Sequence, residues 1–247
     1  MDPRVAIINK RLTEVKRVLA IGSGKGGVGK SLIATCLSLI LSRKGYKVGL
    51  MDLDFNCPSC HVILGVDVNN IKPMEEKGVI PPKIYGVKFM SIAYYVGDNP
   101  VPLRGHEISN AIKELFTITR WNNIDYLLID LPPGTSDELL DVLELIKNVN
   151  IVAVTTPHIT SIKAVEKFIR ITNWLNKKVI GIIENMGQNL RPRANRLTKE
   201  LSIPLLGVIP YIPDVENSIG NPIKLLSSVF AKYLEGIAEK ILSRLDH

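Results

Sequence analysis

From residue 17 onward the chain alternates short apolar runs with stretches whose apolar positions recur every three or four residues. The short runs predict strands over 18–21, 47–51, 87–91, 126–129, 151–155, 179–184 and 205–209. The periodic stretches predict helices over 30–44, 106–118, 137–147, 160–175, 194–201 and 222–245. Apolar strands alternating with helices mark a sheet buried on both faces. The expected fold is therefore α/β: a single doubly wound, mostly parallel sheet with helices on both faces. Segment 66–86, rich in turn formers, Lys and Glu, reads as an exposed connection with room for one edge strand. Residues 1–16 read as an N-terminal extension and 17–247 as one domain.

The last periodic stretch carries an apolar stripe of Leu225, Leu226, Val229, Phe230, Tyr233, Leu234, Ile237, Ile241 and Leu245. A helix lying on a membrane surface has the same stripe, but with a strongly basic polar face. Here Glu235, Glu239 and Asp246 sit beside Lys232, Lys240 and Arg244, so the helix is expected to cover the sheet.

Composition narrows the setting. Apolar residues make up 46% of the 247, as in a globular enzyme. No apolar run approaches the length of a membrane span, so an integral membrane protein is not expected. The charged first 17 residues lack the apolar segment of a secretory signal. Three cysteines, two of them close together in Cys57-Pro58-Ser59-Cys60, fit a reducing cytoplasm better than a disulfide scaffold. The net charge of +7, 31 basic minus 24 acidic residues, permits anionic partners without demanding them.

The chemistry concentrates at Gly24-Lys25-Gly26-Gly27-Val28-Gly29-Lys30-Ser31, which fits G-x-x-x-x-G-K-[ST]. Glycines let the backbone curl so that successive N–H groups point at phosphate oxygens. Lys30 would reach the β and γ phosphates, and the Ser31 hydroxyl would ligate Mg²⁺. A strand before the loop and a helix after it place the positive end of the helix dipole on the anion. The strand over 47–51 runs into Asp52-Leu53-Asp54, delivering two carboxylates to the sheet edge where ligands bind. Asp52 can hold Mg²⁺ through water and Asp54 can orient or deprotonate an attacking water; a solvated turn is the competing reading. A second apolar strand ends at Asp130, followed by Leu131-Pro132-Pro133-Gly134-Thr135, which suits a carboxylate behind Mg²⁺ and a glycine hinge near a γ-phosphate.

These motifs resemble the Mrp/ApbC family of cytosolic iron–sulfur carrier ATPases, within the group that contains MinD, ParA and nitrogenase iron protein. The stretches that carry the resemblance are 15–17 leading into the loop, 52–54, Pro102-Leu103-Arg104-Gly105, 129–137, Thr155-Thr156-Pro157 and Glu184-Asn185-Met186. They run in family order from about residue 9 to the carboxyl terminus, and the run from Asp130 to Thr135 is especially specific. The resemblance implies a homodimeric, Mg²⁺-dependent ATPase that works with iron–sulfur client or scaffold proteins. It implies that Lys25 crosses the dimer interface to the partner's nucleotide, acting in transfer with Lys30 and Asp54. It also implies nucleotide contacts from Gly24, Gly26, Gly27, Val28, Gly29, Lys30, Ser31 and Leu32. Asn185 matches the asparagine that bonds adenine, and the turn from Pro210 to Asp214 lies where the family closes over the base. Ser31, Asp52 and Asp130 fall to the metal.

Two positions depart from the family. Leu32 replaces a common threonine, removing a hydroxyl near the α-phosphate while the backbone N–H groups remain. The Cys-x-x-Cys with which relatives share a [4Fe–4S] cluster between subunits is missing from 187–196. Cys57 and Cys60 stand elsewhere, just after Asp54, and three readings stay open for them: packing at a loop–helix junction, Fe–S or Zn²⁺ ligation, and a redox pair. Cys36 is expected in the core, and His106 and His158 on the surface. Arg191, Arg193, Arg196 and Lys199 form a basic run that supports an alternative, a ParA/MinD-like positioning switch on DNA or membrane. A third reading keeps ATP binding without cluster transfer.

Overall fold

A computed structural model of the protein describes residues 2–97, 99, 103, 105–187 and 192–245. In chain order the elements are α1 (Arg4–Leu12), β1 (Val15–Ser23), α2 (Lys30–Arg43), β2 (Val48–Asp52), α3 (Cys60–Leu64), β3 (Met74–Glu75), β4 (Val79–Ile80), β5 (Lys83–Ile84), β6 (Val87–Ser91) and α4 (Ala93–Val96). They continue as α5 (His106–Ile118), β7 (Ile124–Asp130), α6 (Asp137–Leu145), β8 (Asn150–Thr155), α7 (Ile159–Trp174), β9 (Lys178–Gly187), α8 (Asn195–Leu201), β10 (Leu205–Pro210), a 3₁₀ turn (Pro213–Ser218), α9 (Pro222–Ser227) and α10 (Val229–Leu245).

Among the described residues, eight strands form one sheet in the order β10-β9-β8-β1-β7-β2-β6-β5, parallel except for β5 against β6. β2 is buried along its whole length, and β8 from its second residue, as strands covered on both faces must be. α2, α9 and α10 pack together over one face, while α1, α5, α6 and α7 serve the other. Parallel strands bring every βα connection to one edge, and β1, β7 and β2 lie side by side there. Three backbone bonds lock that edge: Leu131 N donates to Ile21 O (3.0 Å), Leu53 N to Asp130 O (3.0 Å) and Gly134 N to Ser23 O (3.0 Å).

Each expected strand is present, and the differences have local causes. Residues 4–12 form a helix rather than a bare extension, because Val5, Ile8 and Leu12 share one face and Ile8 is fully buried near α5. The expected boundary at 16/17 falls inside β1, which starts at Val15 opposite Ile124. Segment 66–86 supplies the edge strand β5 and a separate β3–β4 hairpin. The long C-terminal helix is two helices. Ser228 breaks it, its hydroxyl donating to Leu225 O (2.6 Å) and accepting from Ala231 N (3.1 Å), which caps α10. α10 then packs against β10 and α2, with Phe230, Leu234, Ile237, Ile241 and Leu245 of the stripe buried and Val229 and Tyr233 left exposed.

Candidate functional site

The loop between β1 and α2 is shaped by backbone constraints. Gly27 and Gly29 have φ of 74° and 83°, a region L side chains avoid. Gly24 is required for a different reason: a Cβ there would lie 2.1 Å from the backbone of Ala164 on α7. The loop therefore rests directly on α7, while Gly26 and Gly27 border open space on its outer side. Ser23 Oγ donates to Lys25 O (2.9 Å) and fixes the start of the loop. The Lys25 side chain is half-buried, and its ammonium has no hydrogen-bond or ion-pair partner among the described residues.

Behind the loop, the carboxyl ends of β2 and β7 bring charge together. Lys30 Nζ lies 2.6 Å from Asp130 Oδ1, with 6% and 0% of the two side chains exposed. Burial pulls the Lys30 pKa down, but the charge and hydrogen bond of Asp130 outweigh it and hold the ammonium above its ordinary value. Asp52 is fully buried and accepts backbone N–H bonds from Asp54 (3.1 Å), Ser59 (3.1 Å) and Cys60 (3.0 Å). Burial first, and the neighbouring Asp130 second, push its pKa up to about 7. Asp54 accepts from Cys57 N (3.1 Å) and is also raised, chiefly by burial. A glycine-rich turn at the start of α2 with two lysines suits a phosphate chain, and the neighbouring carboxylates of Asp52, Asp54 and Asp130 suit a hard dication beside it.

The raised Asp52 pKa has a measurable consequence. Between 3.8, its value when unfolded, and about 7, the folded chain binds more protons than the unfolded one. Stability contributed through this group is thus greatest below that window, falls as pH rises across it, and is flat above it. Thermal midpoints of the metal-free protein measured from acid to neutral pH should fall more steeply for wild type than for Asp52→Asn; equal slopes would refute the assignment.

Asn185 reaches the loop from β9. Its Nδ2 donates to Val28 O (2.9 Å) from a site 3% exposed. Met186 follows with φ of 57°, strained for a residue of its size, and turns the strand end under the loop. Pro210 pairs with Gly187 at the end of β10, whereas Asp214 stands exposed on the 3₁₀ turn. Pro102, Arg104 and the segment 188–191, which includes Arg191, lie outside the described residues. Within the rest of the basic run, Arg196 is paired with Glu200 one turn along α8, which reduces its free positive charge.

Cys57 and Cys60 stand in different surroundings. Cys57 is exposed, but Cys60 opens α3 with no exposed surface, its Sγ 3.6 Å from Asp130 Oδ2. Burial, then Asp52 and Asp130, drive its thiol pKa well up. Glu184 closes the apolar run of β9's first half. It is buried and accepts from Ala194 N (2.7 Å), tying β9 to the start of α8. A carboxylate at the end of an apolar run is its signal in the sequence.

Comparison with known proteins bears on this arrangement. A model of the family ParA, described as NUBPL iron-transfer P-loop NTPase, matches residues 14–243. An iron–sulfur cluster carrier protein of Methanocaldococcus jannaschii is 36% identical, with 96% of this chain and 89% of that one aligned. A carrier of the same name from Aquifex aeolicus is 34% identical over 96% of this chain and 70% of its own. Among solved structures, a nucleotide-binding protein of Archaeoglobus fulgidus in complex with ADP superposes with a TM-score of 0.78 at 30% identity, covering 92% of this chain and 95% of that one. The cell-division ATPase MinD of Pyrococcus furiosus shares the fold, with a TM-score of 0.70 at 23% identity over 92% and 99% of the two chains.

Proposed function

The chain belongs to the ParA family of NUBPL iron-transfer P-loop NTPases, and from that premise we propose that it is a Mg²⁺-dependent ATPase acting as a nucleotide-gated homodimer in iron–sulfur cluster handling. The observation that carries the reading is the buried Lys30–Asp130 pair beneath a loop whose other lysine, Lys25, is unengaged by the described residues of its own chain. Iron–sulfur handling comes from the names of the relatives, and its partners would be client or scaffold proteins in the cytoplasm. No helix among the described residues is long and apolar enough to cross a membrane.

In this reading Lys30 exchanges Asp130 for the β and γ phosphates, and the buried charge of Asp130 would then be balanced by the Mg²⁺ that accompanies the nucleotide. Ser31 and the two carboxylates Asp52 and Asp130 would hold Mg²⁺, directly or through water. The metal supplies charge neutralisation on the phosphate oxygens. Asp54, at the rim, orients the attacking water, and its raised affinity for protons suits it to accept one. The amides of residues 26–32 hold the phosphates, while Asn185 keeps Val28 in place and lies beside the base site completed by Pro210 and Asp214. Lys25 reaches the partner's γ-phosphate, where negative charge spreads over the transferring group. The loop after Asp130 would sense the difference between tri- and diphosphate through Gly134, whose N–H already bonds Ser23 O.

The dependence of specific activity on protein concentration tests the proposal. A site completed by a second chain gives an ATPase rate per protomer that rises with concentration and then saturates. A rate per protomer that is constant down to high dilution, with the protein sedimenting as a monomer in ATP, would refute the dimeric mechanism.

A further inference from the structure

The parallel sheet that carries the βα connections to one edge gathers the strand entrances at the other, and there the sequence places cations. Lys178 opens β9, Lys147 stands before β8, and Lys16 and Arg17 lie at the start of β1. Lys47 precedes β2, and Lys88 on β6 pairs with Lys83 on β5. From β9 to β5 is six strand spacings, so this line of charge runs about 29 Å.

The surface along the line is concave. A cavity of about 690 Å³ is walled by Lys16, Arg17, Lys147 and Lys178. A groove sharing Lys178 adds Arg244. On the other side, a groove sharing Lys16 and Arg17 leads past Tyr46 to Lys47, Lys83 and Lys88. Among the described residues, Asp125 is the single carboxylate in these walls, and it is paired with Lys16 (2.7 Å). The other seven cations have no ion-pair partner among the described residues. Lys88 registers the excess of charge: burial first, with Lys83 and Lys47 behind it, holds its pKa down against the opposing pull of Glu14. Tyr46 adds a different chemistry. Its ring is 37% exposed between Arg17 and Lys47, held edge-on to Tyr126 with 5.0 Å between centroids.

We propose that this edge of the sheet binds single-stranded nucleic acid, its cations tracking successive phosphates and the Tyr46 ring stacking on a base. A small anion would fill one pocket and leave the rest of the line unpaired. An acidic peptide matches the charge but not the exposed ring. The surface is complete within one chain and lies opposite the nucleotide edge, so binding requires neither ATP nor a second chain. It is also separate from Arg193 and Arg196, which stand by the start of α7 at the other edge.

Fluorescence anisotropy with labelled oligothymidylate and oligouridylate of about 20 nucleotides tests the proposal. Wild type is expected to bind both without nucleotide and equally well with ADP, the tighter of the two identifying DNA or RNA as the source. Contact with about five phosphates predicts that log Kd rises with log salt at a slope of about 3.5. Lys147→Glu/Lys178→Glu should weaken binding about tenfold or more and lower that slope. Tyr46→Ala should weaken it about fivefold at unchanged slope, and Tyr46→Phe should restore it. Arg193→Glu/Arg196→Glu should bind as wild type does. Circular dichroism and ADP calorimetry verify the fold of each variant. Absence of salt-dependent binding, or binding untouched by Lys147→Glu/Lys178→Glu, would overturn the site. Equal displacement by polyglutamate, or full affinity in Tyr46→Ala, would contradict a nucleic-acid ligand and assign the line to an acidic protein segment.

Discussion

Replacing Lys25 with alanine is expected to slow ATP hydrolysis about a thousandfold or more while leaving ADP affinity and thermal stability nearly unchanged. The combination follows from where the side chain stands. Its backbone is held, with Ser23 Oγ donating to the Lys25 carbonyl at 2.9 Å, but its ammonium bonds nothing among the described residues of its own chain. Removing it therefore costs no folding contact. In the proposed dimer it reaches the partner's transferring phosphoryl group, and a cation placed there acts on charge that develops only in the transition state. Steady-state kinetics with ADP calorimetry separates the two effects. A variant that loses ADP binding in proportion to its rate would place Lys25 in its own nucleotide site.

Lys30→Met should be the most destabilising change at the site, by about 3–5 kcal/mol. The cause is the partner it leaves behind: Asp130 has no exposed surface, and Asp52 stands near it as a second carboxylate. An unpaired buried charge is costlier than an absent pair. The double variant Lys30→Met/Asp130→Asn should accordingly recover much of the loss, although neither protein binds ATP productively. Chemical denaturation at neutral pH measures both. Equal stability of Lys30→Met and wild type would mean that Asp130 is neutralised by something other than Lys30.

The elements were legible because each carries its own periodicity. Strands such as β2 and β8 are buried on both faces and read as continuous apolar runs. α1 was not read, because six charged residues among 1–16 mask an apolar face of only Val5, Ile8 and Leu12. The break at Ser228 was hidden inside a continuous stripe, since a capping serine costs one position and leaves the register of apolar residues nearly intact. At the site, the loop and its carboxylates were legible as motifs, but their partnerships were not. Lys30 meets Asp130 across 100 residues, and Asn185 meets Val28 across 157, through the sheet order rather than through spacing. Cys57 and Cys60 differ in setting in a way their spacing does not reveal. Cys57 is exposed in the connection before α3, while Cys60 opens that helix buried, its Sγ 3.6 Å from Asp130 Oδ2.

The central claim is that each nucleotide is completed by a lysine from the other chain, and subunit mixing tests it most directly. Lys25→Ala keeps an intact site but offers no lysine; Asp54→Asn offers the lysine but has lost the group proposed to orient water. Each alone is expected to be nearly inactive. An equimolar mixture, allowed to exchange subunits in ATP, should regain about a quarter of the wild-type rate, because half the dimers then hold one complete site of two. A mixture no more active than the sum of its two components, with mixed dimers demonstrated in the same sample, would contradict the account.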